Sequence, residues 1–195
     1  MHVFIVYCHP SGQSLTHEVK NEFLRGLSQA GHSAEVSDLY AMGFSSDFSE
    51  REYLRDGFYH EDGLVDADVL AEQDKLQAAD AVAFIYPVFW TEAPAKLKGW
   101  FDRVWTCGFA YGTGRVIKQL EKALVIAVAG KTAEALEETG EAQAMATVML
   151  GDRIRDRAKH KEMIILGGTS RHDMGLRNLK AQLHLKRAYE LGSNM

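Results

Sequence analysis

The stretch Ala81-Val-Ala-Phe-Ile-Tyr-Pro-Val-Phe-Trp-Thr-Glu-Ala-Pro-Ala-Lys-Leu-Lys-Gly-Trp-Phe-Asp-Arg-Val-Trp105 holds two of the three prolines and all three tryptophans of the chain. Ala81–Tyr86 is a short, unbroken apolar run and reads as a strand buried on both faces. Pro87 ends it, because a proline has no N–H to continue a ladder. Beyond Phe89 and Trp90, the residues Leu97, Trp100, Phe101, Val104 and Trp105 recur at helical spacing, with Pro94 suited to a first turn. A plain core strand has no use for two large aromatics at its exit, whereas a strand end that meets a ligand does. Phe89, Trp90 and Thr91 fall outside both periodic segments and are read as functional, whereas Trp100, Phe101, Val104 and Trp105 are read as core.

Further apolar runs at Val3–Tyr7, Ala34–Val36, Ala123–Ala129 and Met163–Leu166 have the same strand character. Between them lie helical patterns, with Leu15, Val19, Phe23, Leu24 and Leu27 on one face and Leu176, Leu179, Leu183 and Leu185 marking a last helix. Five such strands alternating with helices predict an α/β doubly wound sandwich, a five-stranded parallel sheet with helices on both faces. One segment breaks the rhythm: Gly43–Asp66 is polar with isolated aromatics, and reads either as a surface excursion or as a lid or dimer arm. Without repeats or a linker, residues 1–195 are expected to form a single domain.

The chain has 195 residues, 46% hydrophobic and 25% charged, with a net charge of −5 and both signs well mixed. No basic footprint for nucleic acid is present, and no apolar run approaches a membrane span, so membrane insertion is not expected. Cys8 and Cys107 follow neither a disulfide nor a metal-ligand spacing, and the histidines show none either, so no metal is expected. A reduced cytoplasmic location is the expectation.

In an open α/β sheet, ligands bind beyond the carboxyl ends of the strands. The first such end reads His9-Pro-Ser-Gly-Gln-Ser-Leu-Thr-His17, with Ser14 and Thr16 at the mouth of a helix, where free N–H groups favour an anion. Ser14 equally suits a plain helix cap. No Lys or Arg lies between His9 and Val19, so a phosphate here would lack a local charge partner. Other nucleotide motifs fail. Gly130-Lys131-Thr132 has Val125 where a P-loop needs its first glycine, and Gly112-Thr-Gly114 lacks the third glycine of a dinucleotide fingerprint.

Several stretches resemble the flavodoxin-like NAD(P)H:quinone oxidoreductase family, the relatives of DT-diaphorase. They are Val3-Phe-Ile-Val-Tyr-Cys-His-Pro10 with Ser14-Leu-Thr16, Ser37-Asp-Leu-Tyr-Ala-Met-Gly-Phe44, Ala71–Asp80 leading into Tyr86–Pro94, and Lys96–Trp105 with Gly108-Phe-Ala-Tyr111. The resemblance implies strand order 2-1-3-4-5 and a homodimer with a flavin at each interface site. It implies that His9, Ser14, Leu15 and Thr16 hold the flavin phosphate. Pro87, Val88, Phe89, Trp90 and Thr91 would pass along the ring, and Val128, Ala129, Gly130 and Lys131 would present backbone N–H groups to it. Trp90, with Tyr111 from the partner subunit, would wall the substrate slot.

The implied activity is ping-pong hydride transfer from NADPH or NADH, through bound FMN or alternatively FAD, to a quinone or similar small aromatic acceptor. After Ala129 the sequence departs from the pattern. Classical animal members carry Thr-Thr-Gly-Gly followed by an assisting tyrosine and histidine; here stand Val128-Ala-Gly-Lys131, Leu136 and Ala142. Lys131 is the candidate substitute, an ammonium beside a reduced ring, and Tyr111 the other catalytic candidate. Glu134, Glu137, Glu138 and Glu141 read as a solvated acidic face. Gly167-Gly168 reads as a second loop at the ligand edge, from which Arg171 or His172 would reach a cofactor phosphate. The competing readings are a one-electron flavodoxin-type carrier and a flavin-binding ancillary subunit of a transport system.

Overall fold

The computed structural model describes residues 1–195. Strands β1 (His2–Tyr7), β2 (Ser33–Asp38), β3 (Ala81–Pro87), β4 (Leu120–Val128) and β5 (Ala158–Leu166) form one sheet in the order β2-β1-β3-β4-β5. Every pair is parallel, as the buried apolar runs require. The β1–β3 register sets Val3 opposite Ala81 and Tyr7 opposite Ile85, so both strands end together at one edge of the sheet.

Alternation along each strand builds two cores. Val3, Ile5 and Tyr7 face α1 (Leu15–Gln29) and α7 (Met174–Ser193). Phe4 and Val6 face the opposite side, with α3 (Ala67–Ala78), α4 (Ala95–Val104) and a π-helical segment, Thr147–Ile154, that continues α6 (Glu141–Ala146). The α4 residues Leu97, Trp100, Phe101 and Val104 are buried as their spacing predicts. The Trp100 indole N–H would be stranded there without an acceptor. Buried Glu72 supplies one at 2.8 Å, and also accepts from Ser37 and Lys75. Helices α1 and α7 cross backbone to backbone: a Cβ on Gly26 would lie 2.1 Å from the Tyr189 carbonyl oxygen, and one on Gly192 2.2 Å from that of Phe23. The last helix is present, but its leucines divide. Leu185 packs on the core whereas Leu179 and Leu183 are exposed, because Ala188 and Leu191 form the buried stripe.

Most of Gly43–Asp66 is exposed, as a surface excursion would be, but Phe44, Glu52, Arg55 and Asp56 are buried. The segment contains α2 (Glu50–Gly57), opened by a Ser49–Glu52 capping box. Arg103 of α4 anchors it, donating to Glu52 at 2.7 Å, to both Asp68 oxygens at 2.5 and 3.0 Å, and to the Ser45 carbonyl at 3.1 Å. Arg103 and Glu52 are both buried. The Gly112-Thr-Gly114 loop has a structural role: the backbone N–H groups of Thr113 and Gly114 grip the Glu61 carboxylate.

Burial alone would raise the Glu52 carboxyl, but hydrogen bonds from Ser49 and Arg103 outweigh it and hold the group low. The Arg103 hydrogen bonds do the same for Asp68. Carboxylates with depressed pKa values stabilise the fold above their unfolded values and lose that contribution as pH falls through the folded ones. Arg103→Met is expected to cost about 3–5 kcal/mol at neutral pH, because it leaves Glu52 buried without its cation. In denaturant titrations repeated downward from about pH 5, the variant should lose less further stability than the parent; equal acid slopes would contradict this account.

Candidate functional site

Going from β1 to β2 the chain moves to one side of β1, and it returns to place β3 on the other. The loops leaving β1 and β3 therefore run to opposite faces, and a crevice opens between them. A cavity of about 240 Å³ lies there. Its floor is the ends of β1, β3 and β4, and it has two chemically distinct ends.

One end is built for an anion. His9, Ser14, Leu15 and Thr16 line it. The Ser14 hydroxyl accepts from the His17 N–H at 3.1 Å and donates to the Ser11 carbonyl at 3.1 Å, so the capping role is real. The N–H groups of Leu15 and Thr16, in the first turn, have no intrahelical acceptor and remain available. The Ser11 N–H donates to His9 Nδ1 at 2.9 Å, which places the proton of the neutral ring on Nε2. Partial burial lowers the His9 pKa and keeps that ring neutral. The charge missing from the local sequence arrives from the far end of the chain. Arg171, from the loop after β5, and Arg177, from the start of α7, line the same cavity.

The other end is built from backbone. The Ala129 N–H donates to Leu166, and the carbonyls of Ala129, Gly130 and Lys131 accept from the N–H groups of Thr169, Ser170 and Gly168. The Thr169 hydroxyl also donates to Ala129 at 2.8 Å. With these carbonyls occupied and no acceptor bound by the N–H groups of Gly130 and Lys131, the loop turns donors outward. The β5 loop can approach this closely because residue 167 is glycine: a Cβ there would lie 2.7 Å from the Ala133 nitrogen.

Pro87, Val88 and Phe89 line the crevice. Phe89 and Glu92 exchange both backbone hydrogen bonds, at 2.9 and 3.0 Å, closing a two-residue turn over Trp90 and Thr91. Both central residues have positive φ, 51° and 62°, in the manner of a type I′ turn. Such turns favour Asn-Gly, and a Trp followed by a β-branched Thr costs on the order of 1–3 kcal/mol per residue. The Trp90 side chain stands wholly in solvent.

The structure thus gathers His9, Ser14, Leu15, Thr16, Pro87, Val88, Phe89, Val128 and Gly130 around one cavity. Ala129 and Lys131 flank it through backbone, whereas Trp90 and Thr91, next in the chain after Phe89, are not among its lining residues. The Lys131 ammonium is turned aside into an ion pair with Glu141 at 2.9 and 2.7 Å. Glu141 accordingly leaves the acidic face expected of it; Lys131, Thr139 and Thr91 hold its carboxyl down to about 2. Leu136 and Ala142 are buried in a small core and present no polar group. Tyr111 lies elsewhere in the same chain, on a separate cleft with Trp105, and its ring meets Tyr59 edge-on at 6.3 Å. Arg177, Ser11, Gln13 and Thr169 also line the crevice and had no local signal; only the placement of β5 beside β4 carries Thr169 and Arg177 to this edge.

Fold and crevice together define a doubly wound α/β protein with an anion-ready ligand site at its switch point. Residues 1–153 match the family described as having a flavodoxin-like fold, and the chain belongs to that family. The NAD(P)H:quinone oxidoreductase from Methanothermobacter marburgensis superimposes with a TM-score of 0.93 at 46% identity, covering 100% of this chain and 96% of that one. The orangutan (Pongo abelii) ribosyldihydronicotinamide dehydrogenase (quinone) is 37% identical over 158 residues, 71% of this chain and 67% of the relative. Rat (Rattus norvegicus) NAD(P)H dehydrogenase (quinone) 1 is 35% identical over 120 residues, 55% of this chain and 44% of the relative. The matches thus span about half the length of some curated relatives.

Inorganic pyrophosphate is expected to shift the backbone amide resonances of Ser14, Leu15 and Thr16. In the Arg171→Met/Arg177→Met pair its affinity should fall by about tenfold or more, the effect of two lost charge-assisted contacts. Unchanged affinity would remove the arginines from the anion site.

Proposed function

We propose that this chain is a flavin-dependent NAD(P)H oxidoreductase that reduces quinones or similar flat, electron-poor aromatics. Residues 1–195 would form one flavin-binding domain. The observation that carries the reading is the polarity of the crevice: charge and helix N–H groups at one end, neutral backbone donors at the other, apolar strand exits between. A phosphate-bearing planar cofactor has that same distribution of groups.

The residues present fit such a cofactor. Ser14, Leu15 and Thr16 would bind its phosphate through backbone N–H and hydroxyl groups, with Arg171 and Arg177 balancing the charge and His9 offering Nε2–H. Pro87, Val88 and Phe89 would lie along the ring and exclude water. A flavin held there would supply the hydride-transfer chemistry between a nicotinamide donor and an aromatic acceptor. The free N–H groups of Gly130 and Lys131 are fixed dipoles that need no reorganisation to stabilise negative charge on the ring. Because Lys131 is already paired with Glu141, this role falls to backbone. Trp90 would wall the mouth against which donor and acceptor stack in turn. FMN is the proposed cofactor, with FAD the alternative and NADPH or NADH the donor.

We further propose a cytoplasmic homodimer. Phe58 and Tyr59 are exposed, Tyr59 edge-on to Tyr111, and their burial against a second copy would let Tyr111 of one copy complete the crevice of the other. No helix is long and apolar enough to cross a membrane.

Protein purified with excess FMN or FAD is expected to keep one of them, to show two visible absorption bands, and to bleach in a single two-electron step on anaerobic addition of NADPH. Ser14→Ala and Thr16→Val should each weaken flavin binding about tenfold. Steady-state plots against a quinone should be parallel lines. Failure to retain either flavin would sink the reading.

A further inference from the structure

Trp90 presents an orientation problem. Its indole is fully exposed, so no side-chain packing within the chain decides where it points. The backbone of the turn alone does, and that backbone holds positive φ at two residues that disfavour it. A strained conformation persists only where its surroundings over-determine it. Two side-chain clamps are present. The Thr91 hydroxyl donates to Glu141 Oε1 at 2.9 Å. Glu92 is gripped by Arg153 at 3.0 and 3.2 Å. Both anchors belong to one continuous stretch, α6 and its π-helical extension, and π-turns inside helices gather at functional places.

Glu141 is itself immobilised. Lys131 Nζ donates to both of its oxygens and Thr139 donates to Oε2 at 2.7 Å. One carboxylate therefore ties the turn that carries Trp90 to the backbone-donor loop at Gly130 and Lys131. The link is polar and local.

We propose that Glu141 is a positioning residue: it sets where Trp90 stands at the mouth of the crevice, and thereby which flat aromatic acceptors the site takes. The positioning half rests on the hydrogen bonds alone. The acceptor half rests on reading the crevice as an oxidoreductase slot. Glu141 touches neither cofactor nor substrate and acts through Thr91. A two-ring acceptor overlaps the indole more than a one-ring acceptor does, so it is the ligand whose binding depends on the clamp. Of the two side-chain clamps on the turn, the Thr91–Glu141 bond is the one that also reaches the Gly130–Lys131 loop.

The test uses the full chain with Thr91→Val, Glu141→Ala, their combination, and Glu141→Gln, each checked for native circular dichroism. Time-resolved fluorescence anisotropy reads the motion of Trp90, with Trp90→Phe giving the contribution of the other two tryptophans. Thr91→Val and Glu141→Ala should each free the Trp90 component, and the combination should free it no further, because both remove the same bond. Glu141→Gln keeps a carbonyl oxygen to accept from Thr91 and should restore most of the parent anisotropy. Independent, additive effects, or none, would overturn the positioning role. In steady-state assays of Glu141→Ala with a naphthoquinone and a benzoquinone, KM for the larger ring should rise about tenfold with kcat little changed, while the smaller ring is indifferent. Equal changes for both quinones would overturn the acceptor-selection half. Should the parent protein turn over neither quinone, the proposed function fails and selection with it, while anisotropy still decides the positioning claim.

Discussion

Everything at the functional edge depends on one constraint: all five strands run the same way, and the order of the sheet reverses about β1. A parallel sheet sends every strand exit to one edge. The reversal makes the β1 exit turn onto the face of α1 and the β3 exit onto the face of α4, so no connection bridges the gap between them. The crevice is what this topology leaves open, rather than a hollow carved by particular side chains. Its lining is therefore rich in strand ends, helix starts and loop backbone.

That origin accounts for the division of chemistry along the crevice. Backbone N–H groups become available only where their carbonyls or neighbours are satisfied elsewhere. At the α1 end, the helix start does this by geometry. At the β4 end, the loop after β5 donates three backbone bonds and one from the Thr169 hydroxyl to the Ala129–Lys131 carbonyls, and the Gly130 and Lys131 N–H groups are left without a protein acceptor. Full charges enter the crevice through Arg171 and Arg177, both supplied from beyond β5. Charge-assisted hydrogen bonds are roughly twice as strong as neutral ones, so the arginines anchor and the neutral loop tunes. The pairing of Lys131 with Glu141 keeps a mobile cation off the ring end and turns it into part of a brace.

Two buried arginines fasten connections, while buried Glu72 serves the core around Trp100. Arg103 fastens Gly43–Asp66 to α4, and Arg153 fastens the Trp90 turn to the π-helical segment. Each joins an irregular segment to a regular one, where apolar side chains are too few to define an orientation. Directional hydrogen bonds supply the geometry that packing cannot. The Trp90–Thr91 turn is the one place where two consecutive non-glycine residues hold positive φ, and Tyr59 and Arg155 do so singly.

The sequence by itself determined the fold class and much of the crevice. Continuous apolar runs such as Val3–Tyr7 and Ala81–Tyr86 allow only strands buried on both faces, and the strand ends at His9–Thr16 and Pro87–Thr91 follow at once. Burial of Leu97, Trp100, Phe101 and Val104 was equally legible, because helical period and apolarity agree there. Tertiary structure decided the rest, and each case has the same cause: the decisive partner is remote in sequence. Arg177 joins Ser14 only because β5 lies beside β4 and α7 returns across α1. Glu141 leaves a solvated acidic run for Lys131 and Thr91 because α6 folds back over the β4 exit. Leu179 and Leu183 stay exposed because Gly26 and Gly192 let α7 meet α1 on a different face. Periodicity and local chemistry are written along the chain, whereas charge pairing across a crevice depends on distances that only the folded sheet sets.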